Sequence, residues 1–101
     1  MAEFVKVAEL SDLQAGTGKP VEANGKAIAI FNVDGKIYAM DNTCLHHGGP
    51  LGDGFLEGHI VSCPWHMWEY DVRTGQVCSN PDQKLATYPV EVDGNDIKVA
   101  I

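Results

Sequence analysis

Apolar and polar positions along this chain fall into the pattern of an all-β domain. Phe4, Val5 and Val7 open a first strand, and Ser11-Asp12-Leu13 reads as a single helical turn capped by the Ser or the Asp. Thr17 to Glu22 is the next predicted strand, ending at Asn24-Gly25, a tight-turn dipeptide because both residues tolerate positive φ. Ala27-Ile28-Ala29-Ile30-Phe31 is a short continuous apolar run, which predicts a strand buried on both faces. Asp34-Gly35 is a second hairpin signal and returns the chain through Lys36-Ile37-Tyr38-Ala39-Met40.

Further along, Gly52, Gly54 and Gly58 punctuate Phe55-Leu56-Glu57 into turns, and His59-Ile60-Val61-Ser62 reads as a strand. Met67 to Val72, a turn at Arg73-Thr74-Gly75, and Gln76-Val77-Cys78 make another hairpin. Ser79 to Lys84 contains Pro81 and reads as a loop. From Leu85 onward, Val90 and Val92 alternate with Glu91 and Asp93. After a turn at Asp93-Gly94-Asn95, Ile97, Val99 and Ile101 alternate with Lys98 and Ala100, giving a terminal hairpin. No repeat, linker or low-complexity segment is visible.

At 101 residues and 45% apolar, the chain has room for one domain with a modest core, near the size where a metal centre adds useful stability. No apolar run is long enough to span a bilayer, and Met1-Ala2-Glu3-Phe4-Val5-Lys6 lacks the basic start of a signal peptide, so the expected location is the cytoplasm. Fourteen acidic against seven basic residues give a formal charge of -7, which argues against nucleic acid and anionic membranes as partners. Such a charge suits either plain solubility or a partner with a basic docking face.

The candidate chemistry lies between Cys44 and His66. Cys44-Leu45-His46 and Cys63-Pro64-Trp65-His66 present two thiols and two imidazoles at predicted strand ends. Two soft thiolates and two borderline imidazoles form a ligand set for an iron-sulfur cluster, zinc or copper, not for the oxygen-seeking calcium or magnesium. Gly48 and Gly49 would let the backbone come close to a bound centre, and Pro64 biases Cys63 away from helical angles. Without an export signal, the three cysteines do not suggest a disulfide framework. The remaining one, Cys78, is expected to be a buried small apolar residue.

The Cys-x-His and Cys-x-x-His pairs, with Gly48-Gly49-Pro50, Trp68-Glu69-Tyr70-Asp71 and Thr74-Gly75 around them, resemble the Rieske proteins, in particular the ferredoxins that serve ring-hydroxylating oxygenases. Val7 to Leu13 and Tyr88 to Val92 are similar to that family too. The resemblance implies one Rieske 2Fe-2S cluster, with Cys44 and Cys63 on one iron and His46 and His66 on the other. It implies a single domain over 1–101 with a Rieske-like fold: an antiparallel sheet base (1–42 and 79–101) and a small cluster-binding part (about 43–78) carrying two ligand loops. It also matches Pro81 to a proline that packs against the cluster. Respiratory Rieske proteins carry a disulfide where this chain has Gly49 and Trp65, and a Ser where it has Trp68. These departures imply a potential near the low end of the Rieske range, roughly -150 mV. Histidine ligation implies a potential that falls as pH rises in the alkaline range.

By the same resemblance the chain is not an enzyme alone but a one-electron carrier. It would take electrons from an NAD(P)H-dependent flavoprotein reductase and pass them to a terminal oxygenase, docking transiently as a monomer at the cluster tip. Leu45, Pro50, Trp65 and Met67 would form an apolar collar there, with His47 at the rim and His59 as an ordinary strand residue. Three other readings fit the same residues: the small subunit of a nitrite reductase, a structural zinc module using the four ligands in one tetrahedral site, and a redox sensor.

Overall fold

The computed structural model describes residues 3–23, 25–42, 51–63, 68–78 and 80–100. Among the described residues, twelve strands pair antiparallel in three sheets. β1 (Phe4–Glu9), β12 (Asp96–Ala100) and β11 (Val90–Asp93) form one sheet in that order; β10 (Thr87–Tyr88), β4 (Lys36–Asp41), β3 (Lys26–Val33) and β2 (Gly18–Ala23) form the second; β5 (Phe55–Glu57), β6 (Ile60–Ser62), β7 (Glu69–Asp71), β8 (Gln76–Val77) and β9 (Asn80–Lys84) form the third.

The β3 apolar run has the burial that its sequence predicts. Alternate side chains of a strand point to opposite faces. Ile28 and Ile30 accordingly enter one core with Leu13, Ile97 and Val99, while Ala29 and Phe31 enter another with Leu51, Val61, Cys63 and Tyr70. β4 does the same, sending Ile37 and Ala39 one way and Met40 the other. The second sheet is thus a shared wall between two cores. Full burial of Phe31 alone is worth about 1.5–3 kcal/mol over leaving it exposed.

The turns follow the residue types. Asp34 and Gly35 have φ of 53° and 93°, the double positive φ of a type I′ hairpin. Asn32, buried at their base, donates from Nδ2 to the Leu13 carbonyl at 2.8 Å and accepts the Gly35 N–H at Oδ1, also at 2.8 Å. No polar group is stranded there.

Three local expectations are corrected. The helical turn is a 3-10 turn over Leu10–Asp12 and is not capped by its own Ser or Asp. Asn95, from the distant terminal hairpin, accepts the Leu10 N–H at its carbonyl and the Ser11 N–H at Oδ1, because no neighbouring side chain reaches those orphan donors. Phe55-Leu56-Glu57 is not a run of turns but edge strand β5, paired with β6. Residues 80–84 are not a loop. They form β9, an edge strand on β8, where a proline within the strand is tolerated.

Candidate metal centre

Of the four sequence-predicted ligands, Cys63 lies among the described residues. Cys44, His46 and His66 lie outside them, as do Gly48, Gly49, Pro64, His47 and the expected collar of Leu45, Pro50, Trp65 and Met67. The side chain of Pro81 is likewise outside. What the structure describes is how the chain enters and leaves the two segments that hold the other three predicted ligands.

Segment 64–67 joins β6 to β7. The register pairs Ser62 with Glu69, and the next rung is the Cys63 N–H donating to the Trp68 carbonyl at 2.8 Å. Cys63 is fully buried, in contact with the core that holds Val61 and Tyr70, and the partly buried Trp68 packs on the same core. A thiolate at such a position needs a cation to compensate its charge, since burying an uncompensated anion is costly. As one thiolate donor of the predicted set, Cys63 is compatible with a metal centre.

Segment 43–50 is clasped by Asn42, a residue that sequence reasoning did not single out. Its carbonyl accepts the Leu51 N–H at 2.8 Å, and its Oδ1 accepts the Gly52 N–H at 2.7 Å. These are the first amides of the 3-10 turn Leu51–Asp53, whose Leu51 is fully buried. Asn42 thus caps a turn that begins on the far side of the ligand segment. The Asn42 N–H donates in turn to the Ala27 carbonyl, and the Asp41 N–H to the Ala86 carbonyl, at 3.2 and 3.0 Å. Gly52 lies so close to β2 that a Cβ there would run into the backbone of Lys19 and Pro20. The only advance signal for the clasp is the residue type, since Asn readily accepts backbone amides.

Beside the clasp, the Tyr88 hydroxyl donates to Asp41 Oδ1 and accepts from Lys26 Nζ at 3.1 Å. Partial burial, followed by the bond to Asp41, pushes the Tyr88 phenol above its usual pKa. On β7, Asp71 receives Arg73 through Nε at 3.1 Å and Nη2 at 2.9 Å, and the guanidinium holds its carboxyl below the usual carboxylate range. His59, just before β6, is 43% exposed at its side chain with Nε2 3.9 Å from Asp71, as fits an ordinary surface residue.

Cys78 departs from its expected role. It is exposed rather than buried, because Val77 takes the inward position at the end of two-residue β8 and alternation turns the next side chain outward. Desolvation, reinforced by the Glu69 and Asp71 carboxylates, pushes its thiol pKa upward, which disfavours thiolate chemistry there.

Comparison with known proteins extends this picture. Residues 3–89 match the family described as Rieske [2Fe-2S] domain. The ferredoxin component of the naphthalene 1,2-dioxygenase/salicylate 5-hydroxylase systems of Ralstonia sp is 42% identical over 91 residues, covering 89% of this chain and 88% of that one. The ferredoxin of Sphingomonas yanoikuyae B1 is similar in structure, with a TM-score of 0.88 at 29% identity over 98% of this chain and 99% of that one. A chain in the complex of reduced oxygenase and oxidized ferredoxin of carbazole 1,9a-dioxygenase gives 0.87 at 34% identity, over 96% and 92%.

Proposed function

This chain belongs to the Rieske [2Fe-2S] domain family, and on that premise we propose that it carries single electrons from an NAD(P)H-dependent flavoprotein reductase to a terminal oxygenase that hydroxylates aromatic rings. Its cofactor is a Rieske-type 2Fe-2S cluster. The cluster, when bound, supplies a reversible one-electron couple. In this reading the chain works as a monomer in the cytoplasm. It has no catalysis of its own. Among the described residues no helix is long and apolar enough to cross a membrane.

The ligand assignment is part of the proposal: Cys44 and Cys63 hold one iron, His46 and His66 the other. The observation that carries it is Cys63, a fully buried thiol built into the rung that closes segment 64–67. The other end of the ligand region is tied down at Asn42, so both segments start from fixed positions. Fixed roots reduce the reorganisation that accompanies a change of charge, which is what a fast electron carrier requires.

The test is a visible absorption and low-temperature EPR spectrum of anaerobically purified protein before and after dithionite. A red-brown protein that gains a rhombic signal, with average g below that of all-Cys clusters, is the expected result. Colourless protein holding stoichiometric zinc after iron-replete expression would overturn the carrier reading.

A further inference from the structure

The outer face of the β5–β8 sheet carries a surface that the carrier reading does not use. Register places Phe55, Ser62 and Glu69 side by side in one row, and Glu57, Ile60 and Asp71 in the next. Phe55 and Ile60 are therefore diagonal neighbours on adjacent strands, close enough for an aromatic ring to reach across. With Cys78 beside Glu69, these residues line a groove of about 490 Å³. Phe55 is 63% exposed, the largest value among the exposed large apolar residues of the described chain.

Two features separate this face from an ordinary solvated sheet surface. None of the residues lining the groove is basic. Glu57 and Glu69 form no ion pair among the described residues, a state they share with Glu22 and Glu91 on the other two sheets, but here the two carboxylates flank an exposed aromatic ring. An exposed aromatic on an edge strand is a liability for a protein that keeps to itself. Beside two unpaired carboxylates it has the make-up of an interface: an apolar anchor with a charged rim.

Resting on the carrier reading for the redox nature of the partner, we infer that this face docks a protein presenting lysine or arginine side chains around an apolar socket that receives Phe55. A second copy of this chain is a poor occupant, because it would bring the same carboxylates, and a formal charge of -7, against themselves. The Phe55–Ser62–Glu69 row is one residue from the Cys63–Trp68 rung, a rise of about 3.3 Å along a strand. A partner seated there lies against the side of the ligand-bearing strands rather than at the segments themselves.

The experiment uses the holoprotein and cytochrome c, a small basic redox protein, as the probe. Affinity is measured by calorimetry at low and moderate ionic strength for the parent protein, Phe55→Ser, the pair Glu57→Lys/Glu69→Lys, and the charge-matched pair Glu22→Lys/Glu91→Lys on the other two sheets. The face predicts a loss of about tenfold or more at low salt for Glu57→Lys/Glu69→Lys, well beyond the control pair. Phe55→Ser should weaken binding by about fivefold with the salt dependence unchanged. Equal losses in the two double variants, an unaffected Phe55→Ser, or sedimentation showing a dimer that Phe55→Ser dissolves would overturn it. The EPR signal of the same samples is scored separately. Its absence would sink the carrier reading, while the affinities still decide whether this face docks a cationic protein.

Discussion

Replacing Asn42 by Ala removes one acceptor and leaves the rest of the clasp in place. The Leu51 N–H keeps the residue 42 carbonyl, but the Gly52 N–H loses Oδ1 at 2.7 Å. Gly52 is buried against β2, so water cannot replace the lost partner without moving the turn. A buried donor left unsatisfied costs about 1–3 kcal/mol. For a domain of this size, each kcal/mol lowers Tm by roughly 4–8 °C. The loss should be local as well as global: hydrogen exchange over residues 51–54 should accelerate, and the visible absorption of the bound cluster should bleach faster on mild heating. Asn42→Asp retains an acceptor at the same place and should recover most of the stability, less a small repulsion from neighbouring Asp41. If Asn42→Ala melts within about 0.5 kcal/mol of the parent and exchange at 51–54 is unchanged, the clasp does not fasten the segment and the reasoning fails.

Other perturbations have equally definite outcomes. Trp68→Ser should raise the reduction potential in a potentiometric EPR titration if the new hydroxyl donates to a cluster sulfide, by roughly 40 mV for each 1 kcal/mol of preference for the reduced state; an intact cluster with an unchanged potential would contradict this. Asp71 has a depressed pKa in the fold, so its pairing adds stability that is present above the unfolded value of about 3.9 and lost as pH falls through the folded one. Arg73→Ala should therefore destabilise only slightly at neutral pH, because Arg73 is half exposed, with the difference fading in acid melts as the Asp71 carboxyl protonates. Gly52→Ala drives a methyl group into the Lys19-Pro20 backbone and should cost about 1–3 kcal/mol in thermal unfolding; a neutral substitution would mean that β2 and the turn separate easily.

The elements that were legible are those in which one local signal fixes one outcome. The β3 run is apolar at consecutive positions because the strand serves two cores, and two-sided burial leaves that mark on a sequence. Asp34-Gly35 declares its turn because few other residues tolerate positive φ. β9 was hidden, since Asn80-Pro81-Asp82-Gln83-Lys84 has neither alternation nor β-branched residues and becomes a strand by adding to the edge at β8. The Asn95 cap and the Asn42 clasp were hidden for another reason. Each reaches beyond the neighbouring turn, 84 positions at Asn95 and 10 at Asn42, and an asparagine does not advertise which amides it will accept. Cys78 is exposed although its residue type favours burial, because its orientation follows from a two-residue strand that the sequence does not delimit. The four proposed ligand positions stand out because cysteine and histidine at short fixed spacing are rare in segments built for other purposes.

The fastened roots of the two ligand segments have a consequence for how such a protein can change. Asn42 and Leu51 bracket positions 43–50 in the chain, and Cys63 and Trp68 bracket 64–67, and each pair is joined by a backbone hydrogen bond between described residues. The strands then serve as a chassis and the two segments as exchangeable cassettes. A graft that exchanges only positions 43–50 or 64–67 for those of a relative should therefore leave the described sheets intact. Cys63 alone is excepted: as a rung of the chassis, it is the one proposed ligand that no cassette exchange can move.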